Sequence, residues 1–228
     1  MSFDPNVYER IRAGIISSAA VCVPMILHST GDGERPRVLD VGCGEGWWSE
    51  AIWNAGAAHV DSIDHPVPEL TAEGVRVQDV NLEEPYTLER GYSLAICLEV
   101  AEHLSPEAGD ELVRQLCRSA RAIVWSAAIP GQGGSGHLNE QWPAYWEDRF
   151  DAHGWAFVDP WRDALWGDRE VEPWYQQNLL LAVPSSGHGQ AVRPLVHPEI
   201  WRWRIEERDQ LWARLRDAEA TIQATVGP

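Results

Sequence analysis

The sequence predicts an α/β fold, a mostly parallel sheet that carries helices on both of its faces. Short apolar runs alternate along the chain with longer stretches of helical periodicity, and this order is typical of parallel strands joined by crossover helices. The first run, VLDVG at residues 38–42, is apolar except for one acid and ends in glycine. Strands buried on both faces read in this way.

The first half of the chain begins with a predicted helix at residues 5–28. Pro5 suits the first helical turn, Asp4 can cap it, and apolar residues recur at helical spacing. The elements expected after it are a strand at 38–42, a helix at 47–55, and strands at 59–64, 75–80 and 92–98.

The second half continues the alternation and ends in a helix at residues 199–223. A stretch rich in Pro, Gly and Ser at 184–198 precedes this helix and is typical of a linker. The other elements expected here are a helix at 106–119, a strand at 122–127, a loop at 130–136, a helix at 143–153, and strands at 155–159 and 178–183.

This order divides the chain into an N-terminal helical cover at 1–35, a sheet domain at 36–184, and a linker with a C-terminal helix at 185–228. The last helix carries four apolar residues at 4-3-4 spacing, namely Leu211, Leu215, Ala218 and Ile222. Such a stripe can pack on the domain, pair with a second copy as a homodimer, or lead to another partner.

The composition argues against several classes of protein. The formal net charge of −17 disfavours long nucleic acid as a partner, because phosphate binding requires clustered Lys and Arg. The four cysteines are scattered without a CxxC pair, so neither a disulfide framework nor a zinc site is expected from them. The N-terminus lacks a signal-peptide pattern, and the apolar stretch at 18–27 is too short to span a bilayer. We therefore expect a cytoplasmic protein without a membrane partner.

A glycine-rich turn, DVGCGEG at residues 40–46, separates the first strand from the next helix. Its three glycines are Gly42, Gly44 and Gly46. Glycine lets a ligand approach the backbone amides closely, although the spacing GxGxG departs from the GxGxxG of dinucleotide-binding proteins. Acids lie at the ends of the first three strands, at Asp40, Asp64 and Asp79. A carboxylate at the second of these positions can accept hydrogen bonds from ribose hydroxyls.

Taken in order, these motifs resemble the class I S-adenosylmethionine-dependent methyltransferases. The resemblance covers residues 36–183 and lies in VLDVGCGEG, in Asp64, in QDV at 78–80 and in the strand before LEVAEHL. It implies a Rossmann-like, seven-stranded sheet whose last strand, at 178–183, is antiparallel. It also implies that S-adenosylmethionine lies across the carboxyl ends of the strands.

The same resemblance assigns residues to parts of this cofactor. Asp40 and the glycine turn would hold the methionine part and Asp64 the ribose. Asp79 and Val80 would form the adenine environment. Glu99, which follows the fourth strand, would line the pocket near the transferable methyl group.

The stretch LEVAEHL at residues 98–104 places three polar groups after the fourth strand. If residues 99–103 form a helical turn, Glu99, Glu102 and His103 share one face. Two carboxylates and an imidazole suit a divalent cation such as Mg²⁺, Mn²⁺ or Zn²⁺, and His137 is the candidate fourth ligand. ExxEH followed by a later His resembles the metal site of methyltransferases that modify the terminal ribose of small RNAs. The ExxEH part also resembles ubiquinone-pathway O-methyltransferases.

Two other roles for these residues stay open. Without a metal, Glu102, His103 and His137 are the candidate catalytic groups, and one of the histidines takes the proton of a hydroxyl. Alternatively, Glu99 only lines the cofactor pocket, and His103 packs and hydrogen-bonds.

The segment at 127–150 is expected to bind the methyl acceptor. Its glycines allow a mobile loop, its polar groups can contact hydroxyls, and its aromatic residues can form a flat wall. It resembles a bacterial methyltransferase subgroup that carries a PGQGGxGHxNEQW run. The insert at 160–178 adds aromatic residues to the same rim, and Arg162 can meet an anionic group of the acceptor.

These features predict an O-methyltransferase that acts on a hydroxyl of a small metabolite, either sugar-containing or an aromatic natural product. One alternative is 2′-O-methylation of a nucleic-acid end, which the ExxEH pattern with a later His allows. The other is a non-catalytic binding module that holds a partner through the helix at 199–223.

Overall fold

The computed structural model describes residues 5–30, 35–66, 74–185 and 192–226. Its seven strands are β1 (Arg37–Val41), β2 (His59–Asp64), β3 (Val75–Asp79), β4 (Leu94–Leu98), β5 (Ile123–Ser126), β6 (Trp155–Val158) and β7 (Leu180–Pro184). They form one sheet in the order β3-β2-β1-β4-β5-β7-β6.

The strand directions confirm the predicted Rossmann-like, mostly parallel sheet. Strands β3, β2, β1, β4 and β5 pair in parallel, and β7 is antiparallel to both of its neighbours. The chain builds outward from β1 to β3 on one side and then continues from β4 on the other. The strand order therefore reverses between β1 and β4, which is where ligands bind in open α/β sheets.

The helices are α1 (Pro5–Thr30), α2 (Trp47–Asn54), α3 (Pro106–Ser119), α4 (Pro143–Asp151), α5 (Arg162–Leu165), α6 (Pro173–Asn178) and α7 (Pro198–Val226). A 3₁₀ turn covers Ala101–His103. The predicted cap Asp4 lies outside the described residues. Helices α5 and α6 were not predicted, because helices of 4 and 6 residues are too short to show a period in the sequence.

Both faces of the sheet are buried, and alternate residues of each strand enter different cores. Leu39, Ala95 and Trp125 lie in the core that α3 and α4 cover. Val38 and Ile96 lie in the opposite core, to which α1 and α2 contribute. Apolar residues at successive positions are thus explained by burial on two sides.

Helix α1 packs one face into the core on the α2 side of the sheet. Ala19, Cys22, Val23 and Ile26 are each 1% exposed. Its segment Glu9–Thr30, with a mean hydropathy of 1.6, is long and apolar enough to cross a membrane by length and composition. A core helix passes the same test.

Helix α7 packs on the described part of the domain through its first turns. Ile200 is buried, whereas Leu211, Leu215 and Ile222 remain 53%, 47% and 61% exposed. The apolar stripe of this helix therefore does not pack on the domain, which was one of the three options that the sequence left open.

A buried ionic cluster around Asp61 ties the amino-terminal half of the sheet together. Its fully buried carboxylate accepts hydrogen bonds from Arg37 Nη2 (3.0 Å), Arg76 Nε (2.6 Å) and Tyr92 Oη (2.7 Å). His59 Nε2 lies 2.9 Å from the same carboxylate. Burial raises the pKa of Asp61, but these hydrogen bonds outweigh it and lower the pKa to about 2. Asp61 of β2 thus connects β1 and β3 through its ionic contacts with Arg37 and Arg76.

We expect Asp61→Ala to lower the free energy of unfolding by about 3 kcal/mol, because it leaves two arginines without their buried acceptor. Asp209→Ala, which removes the partner of exposed Arg208 on α7, is the control and should cost less than about 1 kcal/mol. Since the pKa of Asp61 is depressed from 3.8 to about 2, its contribution is present above about pH 4 and is lost as the pH falls toward 2. Urea titrations at several pH values measure both effects, and equal losses in the two variants would contradict the expectation.

Candidate cofactor and transfer site

A cavity of about 360 Å³ opens at the carboxyl ends of β1, β2 and β4. Five of the predicted site residues line it, namely Gly42, Asp64, Val80, Glu99 and His103. The other lining residues are His65, Asn81, Leu82, Val100 and Leu104. Each of these follows a strand end within a few positions, so the strand ends were the signal that could have identified them.

The turn after β1 needs glycine at its first position. Gly42 has a φ of 70°, and a Cβ built on it would lie 2.4 Å from Val100 Cγ2. Its N–H and that of Cys43 donate to the carbonyl of Ile63, at 2.9 and 3.1 Å. Gly46 then provides the N-cap of α2 with a φ of 80°. The backbone of β1 can therefore approach the cavity closely.

Asp40 lies beneath this turn and does not line the cavity. Its carboxylate is 3% exposed and accepts a hydrogen bond from Ser49 Oγ, which lies 2.7 Å from Ser62 Oγ. Burial raises the pKa of Asp40 to about 7, despite the hydrogen bond from Ser49. The hydrogen bonds of Asp40 support the glycine turn and α2. Asp40 would therefore influence a bound ligand only indirectly, through the position of this turn.

Asp64 and Asp79 occupy different environments at neighbouring strand ends. Asp64 lines the cavity and accepts the N–H groups of Gly44 and His65, each at 2.6 Å. Asp79 has a 56% exposed side chain whose Oδ1 lies 2.8 Å from His65 Nδ1. The structure thus brings Asp64 to the cavity and places Asp79 just outside it, in contact with a histidine that the sequence analysis did not select.

Glu99 is held by amide side chains. Its Oε2 accepts from Gln132 Nε2 at 2.7 Å, and its Oε1 accepts from Asn178 Nδ2 at 3.1 Å. The carbonyl of Gln132 in turn accepts from Gln177 Nε2 and Asn178 Nδ2, at 2.8 and 2.9 Å. Burial raises the pKa of Glu99 even though these amides stabilise the charged form.

The predicted helical turn at 99–103 is shorter than expected. It begins only at Ala101, and Glu99 has a φ of 55°, the left-handed conformation. The expectation that Glu99, Glu102 and His103 share one helical face is therefore wrong. The left-handed residue turns the chain sharply between the end of β4 and the 3₁₀ turn.

Glu102 carries a carboxylate that is fully buried beside that of Glu99. Its residue is 0% exposed, and neither oxygen has a hydrogen bond of ordinary geometry within the described part of the chain. Burial and the negative charge of Glu99 raise its pKa well above the ordinary value, and nearby backbone groups offset this only in part. Its backbone carbonyl accepts from Leu138 and Asn139, at 2.7 and 2.9 Å, so the 3₁₀ turn also holds the loop after β5.

Three of the four predicted metal ligands come together. One potential ligand atom each of Glu102, His103 and His137 lies within 4.8 Å of the other two. The rings of His103 and His137 meet edge-on, with centroids 4.8 Å apart. Burial, followed by the charge of His137, lowers the pKa of His103, while a backbone hydrogen bond with Gly136 opposes the shift. Glu99 lies outside this group, with its oxygens taken up by amides.

The predicted acceptor rim is only partly exposed. Trp142 and Trp166 are 40% and 39% exposed. Trp146 is instead buried against Trp125. Arg162 is fully buried and donates to Asp159 and to the backbone carbonyls of residues 177 and 193. The expectation that Arg162 meets an anionic acceptor is therefore wrong.

The sequence of this chain is similar to those of known methyltransferases. Residues 23–159 match the family described as methyltransferase domain. The ubiquinone biosynthesis O-methyltransferase of Neisseria meningitidis serogroup C (strain 053442) is 32% identical over 83 residues, 30% of this chain and 33% of that protein. The chain thus spans about a third of the length of the curated relatives it matches.

Two solved structures show the same fold at low sequence identity. Magnesium protoporphyrin IX methyltransferase of Synechocystis PCC 6803 with bound S-adenosylmethionine has a TM-score of 0.58 at 20% identity, covering 81% of this chain and 86% of its own. An amino pentose methyltransferase of Micromonospora echinaspora, involved in calicheamicin biosynthesis, has a TM-score of 0.55 at 16% identity, covering 81% and 98%.

We expect Asp64→Asn to weaken the binding of S-adenosylhomocysteine about 10- to 100-fold, because the carboxylate that is predicted to accept the ribose hydroxyls becomes neutral. Calorimetric titration measures the affinity. Asp110→Asn, at an exposed position where Asp110 pairs with Arg149, is the control and should bind as the parent does. Unchanged affinity in Asp64→Asn would remove Asp64 from the cofactor site.

Proposed function

This chain belongs to the methyltransferase domain family, and we propose that it transfers the methyl group of S-adenosylmethionine to a hydroxyl of a small molecule. The observation that carries the choice of a hydroxyl is the group formed by Glu102, His103 and His137 beside the cavity. A hydroxyl is a weak nucleophile, and such a group can hold it and take its proton.

The residues that line the cavity offer a contact for each part of the methyl donor. Gly42 lets the backbone approach, Asp64 can accept the ribose hydroxyls, and Val80 and Asn81, which also line the cavity, would flank the adenine. Asp79 stands outside this wall and would act through His65. Asp40 would act through the turn it supports. Glu99 lines the cavity together with His103 and would orient the donor near its methyl group.

The transfer itself needs alignment and one proton acceptor. A bond forms between the hydroxyl oxygen and the methyl carbon while the bond from carbon to sulfur breaks, which yields a methyl ether and S-adenosylhomocysteine. The hydroxyl proton passes to an imidazole nitrogen of His103 or His137. The lowered pKa of His103 keeps that ring neutral, and therefore able to accept a proton, near pH 7. Holding the two reactants in line supplies much of the rate.

The same three residues fit a divalent cation. Neither buried oxygen of Glu102 has a hydrogen bond of ordinary geometry among the described residues, and one ligand atom each of His103 and His137 lies within 4.8 Å of a Glu102 oxygen. Carboxylate and imidazole are ligands that Mg²⁺, Mn²⁺ or Zn²⁺ accept to different degrees. When bound, such an ion lowers the pKa of a coordinated hydroxyl.

A small acceptor fits the surroundings better than a long nucleic acid. The exposed apolar side chains on this segment, Leu138 and Trp142, offer a flat surface to a sugar or an aromatic ring. The net charge of −17 opposes a long polyanion. The similar proteins named for ubiquinone biosynthesis and for an amino pentose support a small acceptor, and the PGQGGxGHxNEQW subgroup remains a resemblance.

Two alternatives keep specific support. The cluster of Glu102, His103 and His137 suits the paired hydroxyls of a terminal ribose, so 2′-O-methylation of a nucleic-acid end is the second candidate. The exposed stripe on α7 suits a partner helix, so a non-catalytic binding module is the third.

We expect isotopically labelled S-adenosylmethionine to label a small hydroxyl compound in a screen of sugars, glycosides and phenols. If a cation takes part, excess chelator lowers the transfer at least about tenfold, and Mg²⁺, Mn²⁺ or Zn²⁺ restores it. Full transfer in excess chelator would reject the cation and leave the histidines as bases.

Parallel reactions separate the alternatives. Label that appears only on short RNA ends, with binding that weakens steeply in salt, would favour the second candidate. Binding of S-adenosylmethionine without transfer to any compound would favour the binding module.

We also propose that α7 pairs with a second copy of the chain, because its apolar stripe is exposed and lone helices gain little stability in water. Sedimentation should show a dimer for the parent. Leu215→Glu should give a monomer, and Ala220→Glu, on the opposite side of the helix, should remain dimeric. A monomeric parent at high micromolar concentration would contradict the pairing.

A further inference from the structure

His137 holds one of its ring nitrogens in a hydrogen bond with Glu140. Its Nδ1 lies 2.8 Å from Glu140 Oε1, and its side chain is only 13% exposed. This contact leaves Nε2 as the nitrogen that can serve the group with Glu102 and His103. The proton of a neutral imidazole sits on one nitrogen only, so the partner of Nδ1 decides what Nε2 can do.

Glu140 is arranged to remain a charged acceptor. Its Oε2 accepts the N–H of Gly131 at 2.7 Å, and its Oε1 accepts the N–H of Gly133 at 2.9 Å. An ionised carboxylate only accepts hydrogen bonds, so the contact with His137 requires the proton on Nδ1.

The glycines of this loop make room for the pair. A Cβ built on Gly134 would lie 2.2 Å from His137 Nε2. A Cβ on Gly133 would lie 2.5 Å from Arg204 Nη1 of α7, while its N–H reaches Glu140. The run PGQGGSG at 130–136 therefore has a second explanation beside loop mobility. It lets the backbone wrap closely around a carboxylate and an imidazole.

We infer that Glu140 is a positioning residue that holds His137 in the Nδ1–H tautomer and directs the lone pair of Nε2 to the reaction centre. The inference rests on the proposed function, in which His137 either takes the proton of the acceptor hydroxyl or binds a cation. Both roles use the same lone pair, so Glu140 serves both. A carboxylate behind a histidine orients the ring and stabilises its charged form in acid–base sites, and it fixes the tautomer in metal sites.

The tautomer can be read directly, without an acceptor, a donor or a metal. We expect long-range ¹H–¹⁵N correlation spectra of protein labelled with ¹⁵N-histidine, recorded in excess chelator at about pH 8.5 where free imidazoles are neutral, to show His137 as the Nδ1–H form. His137→Gln identifies its signals by their loss. The spectrum of the parental protein alone decides which tautomer His137 adopts, so this result does not depend on whether a variant folds. An Nε2–H signal for His137 would overturn it.

Variants test whether Glu140 is the cause. Glu140→Ala should shift His137 toward the Nε2–H form that free histidine prefers, and should lower kcat for the acceptor from the screen about 10- to 100-fold. The KM for S-adenosylmethionine should stay within about twofold of the parental value, because Glu140 does not line the donor cavity. Glu140→Gln keeps one carbonyl oxygen and should recover part of both the tautomer and the rate. Glu107→Ala, at an exposed position on α3, should change neither.

Each outcome separates this inference from the proposed function. If Glu140→Ala folds and keeps the parental tautomer, or loses the tautomer and keeps the parental rate, the positioning role is overturned. If no acceptor is found, the proposed function fails, while the spectra still decide the tautomer and its dependence on Glu140.

Discussion

The site depends on keeping two carboxylates, Glu99 and Glu102, buried next to each other at the end of β4. Removing a charged carboxylate from water is costly unless hydrogen bonds or opposite charges compensate. The structure compensates the two residues in different ways. Glu99 receives one amide donor on each oxygen, whereas Glu102 receives none of ordinary geometry among the described residues. One carboxylate is thus fixed, and the other is left reactive toward a proton or a cation.

The amide side chains that hydrogen-bond to Glu99 come from parts of the chain that are far apart in sequence. Gln132 comes from the loop after β5 and Asn178 from the end of α6. Gln177 joins them and accepts the backbone N–H of His197 through its Oε1 at 2.7 Å, so the segment leading into α7 joins the same network. The amides have few free groups left, since Gln132 Oε1 serves Asn178 and Gln177 at once. Networks that are satisfied in this way hold a single arrangement, and the loop that carries His137 is anchored through it.

The helices and strands could be predicted from the sequence far better than the contacts between loops. Apolar runs and glycine positions predicted the strands and helices that build the sheet, and parallel strands must bring their carboxyl ends to one edge. Gly42 and Asp64 could therefore be placed at the cavity. Periodicity does not show where a side chain points in a loop or in a helix as short as α5, so the burial of Arg162 was missed. The left-handed conformation of Glu99 was missed too, because that conformation is rare for residues other than glycine.

Two groups could balance the buried charge of Glu102, either a proton shared with Glu99 or a cation held with His103 and His137. A proton on Glu102 turns one of its oxygens into a donor, for which the carboxylate of Glu99 is the neighbouring acceptor. A cation neutralises the whole carboxylate and draws on the lone pairs of the neighbouring imidazoles, which a protonated pair of histidines could not provide. The lowered pKa of His103 keeps such a lone pair available near neutral pH. With His137 turned by Glu140 to present its Nε2, all three residues would offer electron pairs, and no hydrogen, to the same point.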